Sequence, residues 1–128
     1  MGNGTSLGRV RGLGSAHSGA HHWLLQRYTA AGNLLGGLYL AFGLLRAPSY
    51  DYAALHLWLH KPLAAVLVGL FVVSTFWHAR LGMTVLIEDY VHEHGNKFAV
   101  MTVLNLLAFA GGAFCLLCIV RIALGAPA

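Results

Sequence analysis

The second apolar segment of the chain is the most informative about its fold, and residues 62–90 read PLAAVLVGLFVVSTFWHARLGMTVLIEDY. Before Glu88, the only ionisable side chains in this segment are His78 and Arg80. About 20 consecutive, predominantly apolar residues are enough for one α-helix to cross the hydrocarbon core of a bilayer. Pro62 suits the first turn of such a helix, because its missing N–H is not needed there. Residues 62–90 are therefore predicted to form a transmembrane helix.

Two further stretches also predict membrane-spanning helices. The first, at about 26–46, contains the pair Gly32-x-x-x-Gly36, and small residues at this spacing allow neighbouring helices to approach closely. The other, at about 97–122, is uncharged in its interior. Because only a short segment joins the second and third stretches, we expect these two helices to be antiparallel neighbours.

The polar break between the first two spans predicts a short helix at the membrane surface. Residues 48–51, PSYD, are typical of a turn followed by a helix start. Residues 52–60 continue with apolar side chains at helical spacing, and Trp58 suits headgroup depth. The sequence thus predicts an all-α integral membrane protein with three transmembrane helices and a short interfacial helix between helices 1 and 2. Residues 1–20 are predicted to be a flexible cytoplasmic segment, and residues 21–128 the three-helix anchor.

The composition agrees with a membrane protein and argues against other classes. Of the residues, 58% are hydrophobic and only 9% are charged, whereas a soluble domain carries roughly 25% charged residues. An ordinary globular domain, a disordered tail and a disulfide scaffold are therefore excluded. The eight Lys and Arg residues stand singly, so binding of nucleic acid is not expected. Cys115 and Cys118 lie in an apolar stretch without the βαβ context of a redox pair, and we interpret them as lipid-embedded helix residues.

The distribution of basic residues predicts the orientation of the chain. Cytoplasmic ends of membrane helices carry an excess of Lys and Arg. With three spans, one side holds Arg9, Arg11, Arg27 and Lys97, and the other side holds Arg46, Lys61 and Arg121. This difference favours a cytoplasmic N-terminus and a periplasmic C-terminus for a multi-pass protein. Since no transit peptide is evident, we expect a bacterial inner membrane.

The eight histidines are the second unusual feature of the composition. His56 and His60 form an i, i+4 pair that could hold a metal ion. No third ligand stands beside them at helical spacing, so they are interpreted as surface side chains. His92 and His94 lie in the segment between the second and third spans, where solvated loop histidines are the simplest interpretation.

His78 is the most informative histidine, because it lies well inside the second span. An imidazole at that depth is unfavourable unless it is bonded to something. Three roles are open: a hydrogen-bonding packing residue, a proton relay, or an axial ligand of a b-type haem. At 100° per residue, Gly82 and Asp89 fall near the same face, and Gly82 would leave space for a flat macrocycle. A second haem ligand would have to come from another subunit, because no other histidine lies at comparable depth.

Two stretches resemble the motifs of a known family. Residues 76–91, FWHARLGMTVLIEDYV, are similar to the His-x-x-x-Gly-(six residues)-Asp-Tyr signature of the smaller hydrophobic membrane anchor of succinate dehydrogenase (complex II, succinate:ubiquinone oxidoreductase). Residues 15–30, SAHSGAHHWLLQRYTA, resemble the N-terminal motif of that family. The length, the number of spans and the order of the motifs also agree, so the resemblance covers nearly the whole chain.

The resemblance implies roles for five residues. His78 corresponds to the axial ligand of haem b. Tyr90 corresponds to the tyrosine that hydrogen-bonds a carbonyl oxygen of ubiquinone, and Asp89 to the acid beside it. Arg27 corresponds to the basic residue near the haem propionates, and His21 is expected in the same vicinity. Arg27 also stands at the edge of the first span, where a guanidinium can bind a carboxylate bidentately.

The resemblance also implies partners. The chain has no flavin motif and no cysteine set for an iron–sulfur cluster, so it is not expected to oxidise succinate alone. As one component of the enzyme, it would dock the flavoprotein and iron–sulfur subunits, share haem b with the larger cytochrome b anchor, and form part of the ubiquinone-reduction site. The alternatives are the anchor of a fumarate reductase or another b-type quinone oxidoreductase, a small membrane transporter, and an assembly subunit without a cofactor.

Overall fold

The computed structural model describes residues 5–7 and 19–125. Residues 19–125 form four helices and no strand. The helices are α1 (Gly19–Leu45), α2 (Tyr52–Leu59), α3 (Pro62–Tyr90) and α4 (His94–Ala123). The predicted all-α class, with a short helix between the first two long ones, is confirmed. Of the segment 1–20, for which flexibility is predicted, residues 1–4 and 8–18 lie outside the described residues.

Three of the helices are long and apolar enough to cross a membrane. Helices α1, α3 and α4 contain 27, 29 and 30 residues. At about 1.5 Å per residue, each is longer than the roughly 30 Å of the hydrocarbon core. Helix α1 begins at Gly19 and α4 at His94, earlier than the apolar runs at about 26 and 97. Both helices therefore begin before their apolar runs, and a count of apolar residues alone does not detect these first turns.

Local side chains explain where the helices begin. The Asp51 carboxylate accepts a hydrogen bond from the Ala54 backbone N–H and caps α2. Pro62 occupies the first turn of α3, as predicted. The Glu93 carboxylate caps α4 by accepting hydrogen bonds from the backbone N–H groups of Gly95 and Asn96. The caps of α2 and α4 satisfy backbone donors that the first turn of a helix leaves unpaired.

Helix α3 is the centre of the bundle, because α1 and α4 each pack against it. Glycines set the close approach on both sides. A Cβ atom built on Gly36 of α1 would lie 2.6 Å from the Phe71 ring, and one on Gly111 of α4 would lie 2.6 Å from the Phe76 ring. The close approach predicted for the Gly32–Gly36 pair and the pairing of the last two spans as neighbours are thus confirmed.

Few large side chains are buried within the chain itself. The buried apolar side chains among the described residues are Ala64, Ala65, Leu81, Ile87 and Ile119. Helix α1 has no buried residue. Most large apolar side chains therefore face outward, where lipid or other subunits can cover them.

Candidate functional site

His78 lies in the interior of α3, and its imidazole is half-buried against α1. It stands 12 residues before Tyr90, which corresponds to about 18 Å along a helix. His78 Nδ1 lies 3.0 Å from Thr29 Oγ1. The same hydroxyl oxygen donates toward the carbonyl oxygens of Leu25, at 2.8 Å, and Gln26, at 3.2 Å. The mid-membrane imidazole is therefore hydrogen-bonded, as a polar group in hydrocarbon must be.

Further polar side chains continue this contact along both helices. Ser74 Oγ donates to the Thr29 carbonyl oxygen at 2.8 Å, and Thr75 Oγ1 donates to Asn33 Oδ1 at 3.2 Å. The same face of α1 carries His22 and Gln26, at helical spacing from Thr29. We call this interface the α1–α3 polar seam, which consists of His22, Gln26, Thr29 and Asn33 of α1 and Ser74, Thr75 and His78 of α3.

Two buried atoms of the polar seam lack a hydrogen-bond partner. They are His22 Nε2 and Gln26 Oε1. Gln26 lies beside Gly82, since a Cβ atom on that glycine would lie 3.8 Å from Gln26 Nε2. The space that Gly82 leaves on the His78 face of α3 therefore adjoins an amide of α1. Buried polar atoms without partners are unfavourable, and such groups often receive a water molecule or a ligand atom in the assembled state.

Arg27 and His21 lie outside the polar seam. Both side chains are exposed. The Arg27 guanidinium lies over the Trp23 ring, 5.2 Å from its centroid, which is the geometry of a cation–π contact. Arg27 projects from the face of α1 opposite Thr29, because two residues turn an α-helix by about 200°. Within this chain, the structure does not bring Arg27 to His78, and the expected propionate role of Arg27 and His21 stays a prediction.

Asp89 and Tyr90 lie together at the carboxyl end of α3. Both are exposed, and Tyr90 exposes 79% of its side chain. His92 and His94, in the segment that leads into α4, are exposed at the same end of the bundle. An aromatic hydroxyl, a carboxylate and two imidazoles are thus exposed at the same end of the bundle. Their predicted part in a quinone site stays a prediction.

The other deep ionisable residue faces the opposite side of α3. Arg80 Nε donates a hydrogen bond to Asn105 Oδ1 of α4. The guanidinium also lies 5.6 Å from the centroid of the Trp77 ring. Because 200° of helical rotation separates Arg80 from His78, the two deep residues bind different helices.

Other candidates from the sequence form no larger cluster. The rings of His56 and His60 stack with centroids 6.3 Å apart, and His60 Nδ1 lies 3.3 Å from the Ile122 carbonyl oxygen. Cys115 and Cys118 are free thiols. Across residues 5–7 and 19–125, no group of three or more His, Cys, Asp or Glu side chains is placed to hold a metal ion.

The Thr29 contact was not predicted, although the sequence carries a signal for it. His22, Gln26, Thr29 and Asn33 recur every three or four residues in an otherwise apolar helix, which indicates one polar face. The neighbours of His78 along α3 do not reveal this contact, because the partner belongs to α1.

Comparisons with known proteins find several relatives of this chain. The chain is 36% identical over 113 residues to the succinate dehydrogenase hydrophobic membrane anchor subunit of Rickettsia conorii, which covers 88% of this chain and 84% of that protein. For the protein of the same name from Rickettsia bellii, the identity is 39% over 83 residues, with 65% and 66% covered. For that of Paracoccus denitrificans, it is 30% over 93 residues, with 72% and 71% covered. No solved structure matches the chain.

The family comparison covers most of the chain. The profile described as succinate dehydrogenase/fumarate reductase transmembrane subunit matches residues 1–112. The resemblance seen in the sequence motifs is thereby confirmed. The chain belongs to the family of succinate dehydrogenase/fumarate reductase transmembrane subunits.

Proposed function

We propose that this chain is the hydrophobic membrane anchor of a succinate dehydrogenase. It docks the flavoprotein and iron–sulfur subunits at the membrane, pairs with a larger cytochrome b anchor, and forms part of the ubiquinone-reduction site. Relatives that carry the anchor name, at 30–39% identity, support this assignment over a fumarate reductase anchor. The outward-facing apolar side chains support a second anchor as partner, because they offer much uncovered surface within the membrane.

The position of His78 is the observation that carries the proposal. A b haem shared between two anchors would need a nitrogen ligand from each of them, so a single histidine from this chain would suffice. His78 fits one such position, because it is the deep imidazole of the second span and is held through Nδ1. When bound, the haem supplies a one-electron redox centre inside the membrane. Arg27 and His21, exposed near the start of α1, would hold its propionates.

Asp89 and Tyr90 would form this chain's part of the quinone site. Reduction of ubiquinone requires two electrons, which the head supplies, and two protons. The Tyr90 hydroxyl donates a hydrogen bond to a quinone carbonyl oxygen and polarises it. The Asp89 carboxylate beside it passes protons from the aqueous side. Their exposed position at the end of α3 suits a substrate that arrives from the lipid phase and protons that arrive from water.

The proposed location is the inner membrane of a bacterium, with the N-terminus in the cytoplasm and the C-terminus in the periplasm. Tyr90 and His94 would then lie on the cytoplasmic side, where the head docks. In this orientation the proposed quinone site lies on the side where the head would dock, so electrons from the head and protons from water would reach the quinone at the same boundary.

The test is the reduced-minus-oxidised absorption spectrum of the purified membrane complex. We expect the b-type haem band to disappear in His78→Ala and in His78→Gln, where the second variant keeps a polar side chain opposite Thr29. His56→Ala is the matched control, because that imidazole is also half-buried but lies in α2, outside the membrane-spanning helices. It should retain the band.

Persistence of the haem band in both His78 variants would contradict the proposal. It would favour either an anchor whose haem ligands come from its partner or an assembly subunit without a cofactor. Loss of the band in His56→Ala as well would show that histidine replacement acts through assembly and not through ligation.

A further inference from the structure

We infer that Thr29 is the positioning residue for His78, and that its hydroxyl selects the imidazole tautomer that can bind iron. This inference rests on the proposed role of His78 as a haem ligand. It concerns a hydrogen bond between two helices, with Thr29 Oγ1 and His78 Nδ1 separated by 3.0 Å.

The proton count at Thr29 decides the direction of that hydrogen bond. A hydroxyl has one proton but can accept through its lone pairs. Thr29 Oγ1 lies 2.8 Å from the Leu25 carbonyl oxygen and 3.2 Å from that of Gln26, and carbonyl oxygens can only accept. Threonine in a helix commonly donates to the carbonyl four residues earlier. With the proton directed to the Leu25 carbonyl oxygen, at 2.8 Å the nearer partner, a lone pair of Thr29 Oγ1 faces His78 Nδ1, and the imidazole nitrogen then donates.

A donating Nδ1 leaves the lone pair of the neutral imidazole on Nε2. A metal ligand must present such a lone pair, and the hydrogen bond made by the other nitrogen sets which one is available. Thr29 therefore makes Nε2 the ligating atom and limits rotation of the ring. The same bond increases the electron density on the ring, which favours ferric over ferrous iron.

The packing around Thr29 holds the hydroxyl at this distance. Ser74, one turn before His78, donates to the Thr29 carbonyl oxygen at 2.8 Å. Gly32 permits the approach, because a Cβ atom there would lie 2.7 Å from Ser74 Oγ. The α1 backbone at Thr29 is thus hydrogen-bonded to α3 close to His78. A positioning residue requires such support, because its own side chain must be held in place.

The experiment is a redox titration of the haem band in the purified complex. We expect Thr29→Val to shift the ferric–ferrous equilibrium toward the ferrous form by about threefold to tenfold, or about 30 to 60 mV upward in midpoint potential. Thr29→Ser keeps the hydroxyl and should titrate as the unaltered complex does. Thr75→Val is the matched control, because it removes a hydroxyl of the same seam that bonds Asn33 and not His78. It should leave the potential unchanged.

An unchanged potential in Thr29→Val, or an equal shift in Thr75→Val, would overturn the inference. If Thr29→Val does not assemble, Thr29→Ala removes the same hydroxyl with less bulk and carries the same expectation. The proposed function is tested separately. If the haem band survives in His78→Ala, His78 is not a haem ligand, and Thr29 then has no ligand to position. If the band is lost in His78→Ala but the midpoint potential does not change in Thr29→Val, the role of His78 stands and only that of Thr29 is contradicted.

Discussion

Tyr90 ends α3 with 79% of its side chain exposed, beside the exposed carboxylate of Asp89. We expect Tyr90→Phe to slow ubiquinone reduction about tenfold or more, because the quinone carbonyl oxygen loses its hydrogen-bond donor. Succinate oxidation with an artificial acceptor should be unchanged. Steady-state rates with the two acceptors measure this difference. Tyr52→Phe is the control, since that exposed tyrosine begins α2 at the other end of the bundle. Equal loss of both activities in Tyr90→Phe would assign Tyr90 a structural role.

The contact between Arg80 and Asn105 permits a second prediction at the scale of residues. Asn105→Leu leaves a guanidinium in the membrane without its acceptor, and we expect it to destabilise the complex by about 1–3 kcal/mol. Arg80→Leu combined with Asn105→Leu should be less destabilising than Asn105→Leu alone, because both polar groups are then removed. Thermal denaturation of the purified complex tests this order. Additive losses in the double variant would show that the two side chains act independently.

Residue positions were predicted from the sequence more fully than residue partners. The depth of His78 and Arg80 follows from counting residues along an apolar segment. That His78 bonds Thr29 and Arg80 bonds Asn105 does not follow, because those pairs are 49 and 25 positions apart and depend on how each helix is rotated. The proposed roles of Tyr90 and Asp89 come from motif resemblance and stay predictions.

At the scale of helices, neighbouring glycines of α1 differ in what they contact. A Cβ atom on Gly36 would lie 2.8 Å from Phe71 Cβ, an atom that no rotation of the ring can move away. On Gly37, the nearest Phe71 atom would be 3.8 Å away, an ordinary contact. We expect Gly36→Ala to destabilise the packing of α1 on α3 by about 1–3 kcal/mol. Gly37→Ala should be neutral or stabilising, because alanine favours a helix over glycine.

The yield and thermal stability of the assembled complex measure both variants. The two substitutions are identical in chemistry and adjacent in sequence, so a difference between them reports contact with α3 alone. Equal effects would show that the close approach of α1 and α3 at Phe71 does not limit stability.

Helix ends could be predicted where local chemistry decides them and not elsewhere. Asp51 and Pro62 mark the starts of α2 and α3, and both signals are readable in the sequence. Glu93 caps α4 through its carboxylate, as Asp51 caps α2. The start of α4 was nevertheless predicted at about 97, because that prediction followed the apolar run and not the cap. The early start of α1 at Gly19 has a related cause, since His21, His22, Gln26 and Arg27 interrupt the apolar pattern at the beginning of that helix.

For the whole molecule, the proposed orientation places the ends of α3 on opposite sides of the membrane. Ser49 would be periplasmic and Asn96 cytoplasmic. With Cys115 and Cys118 replaced by serine, Ser49→Cys should react with a membrane-impermeant maleimide in cells whose inner membrane is intact. Asn96→Cys should react only after the membrane is permeabilised. The reverse pattern of labelling would invert the orientation and move the proposed quinone site to the periplasmic side.

The class of the protein, the number of spans and the depth of His78 follow from the amino-acid sequence alone. These are properties of length and composition along one chain, because every backbone polar group in hydrocarbon must be satisfied within a helix. The position of α3 between α1 and α4, and the meeting of Thr29 with His78, emerge from the folded bundle and not from the sequence. Such contacts depend on helix rotation and separation. In this chain, those are set by glycines and a few hydroxyl and amide groups, whose partners lie on another helix.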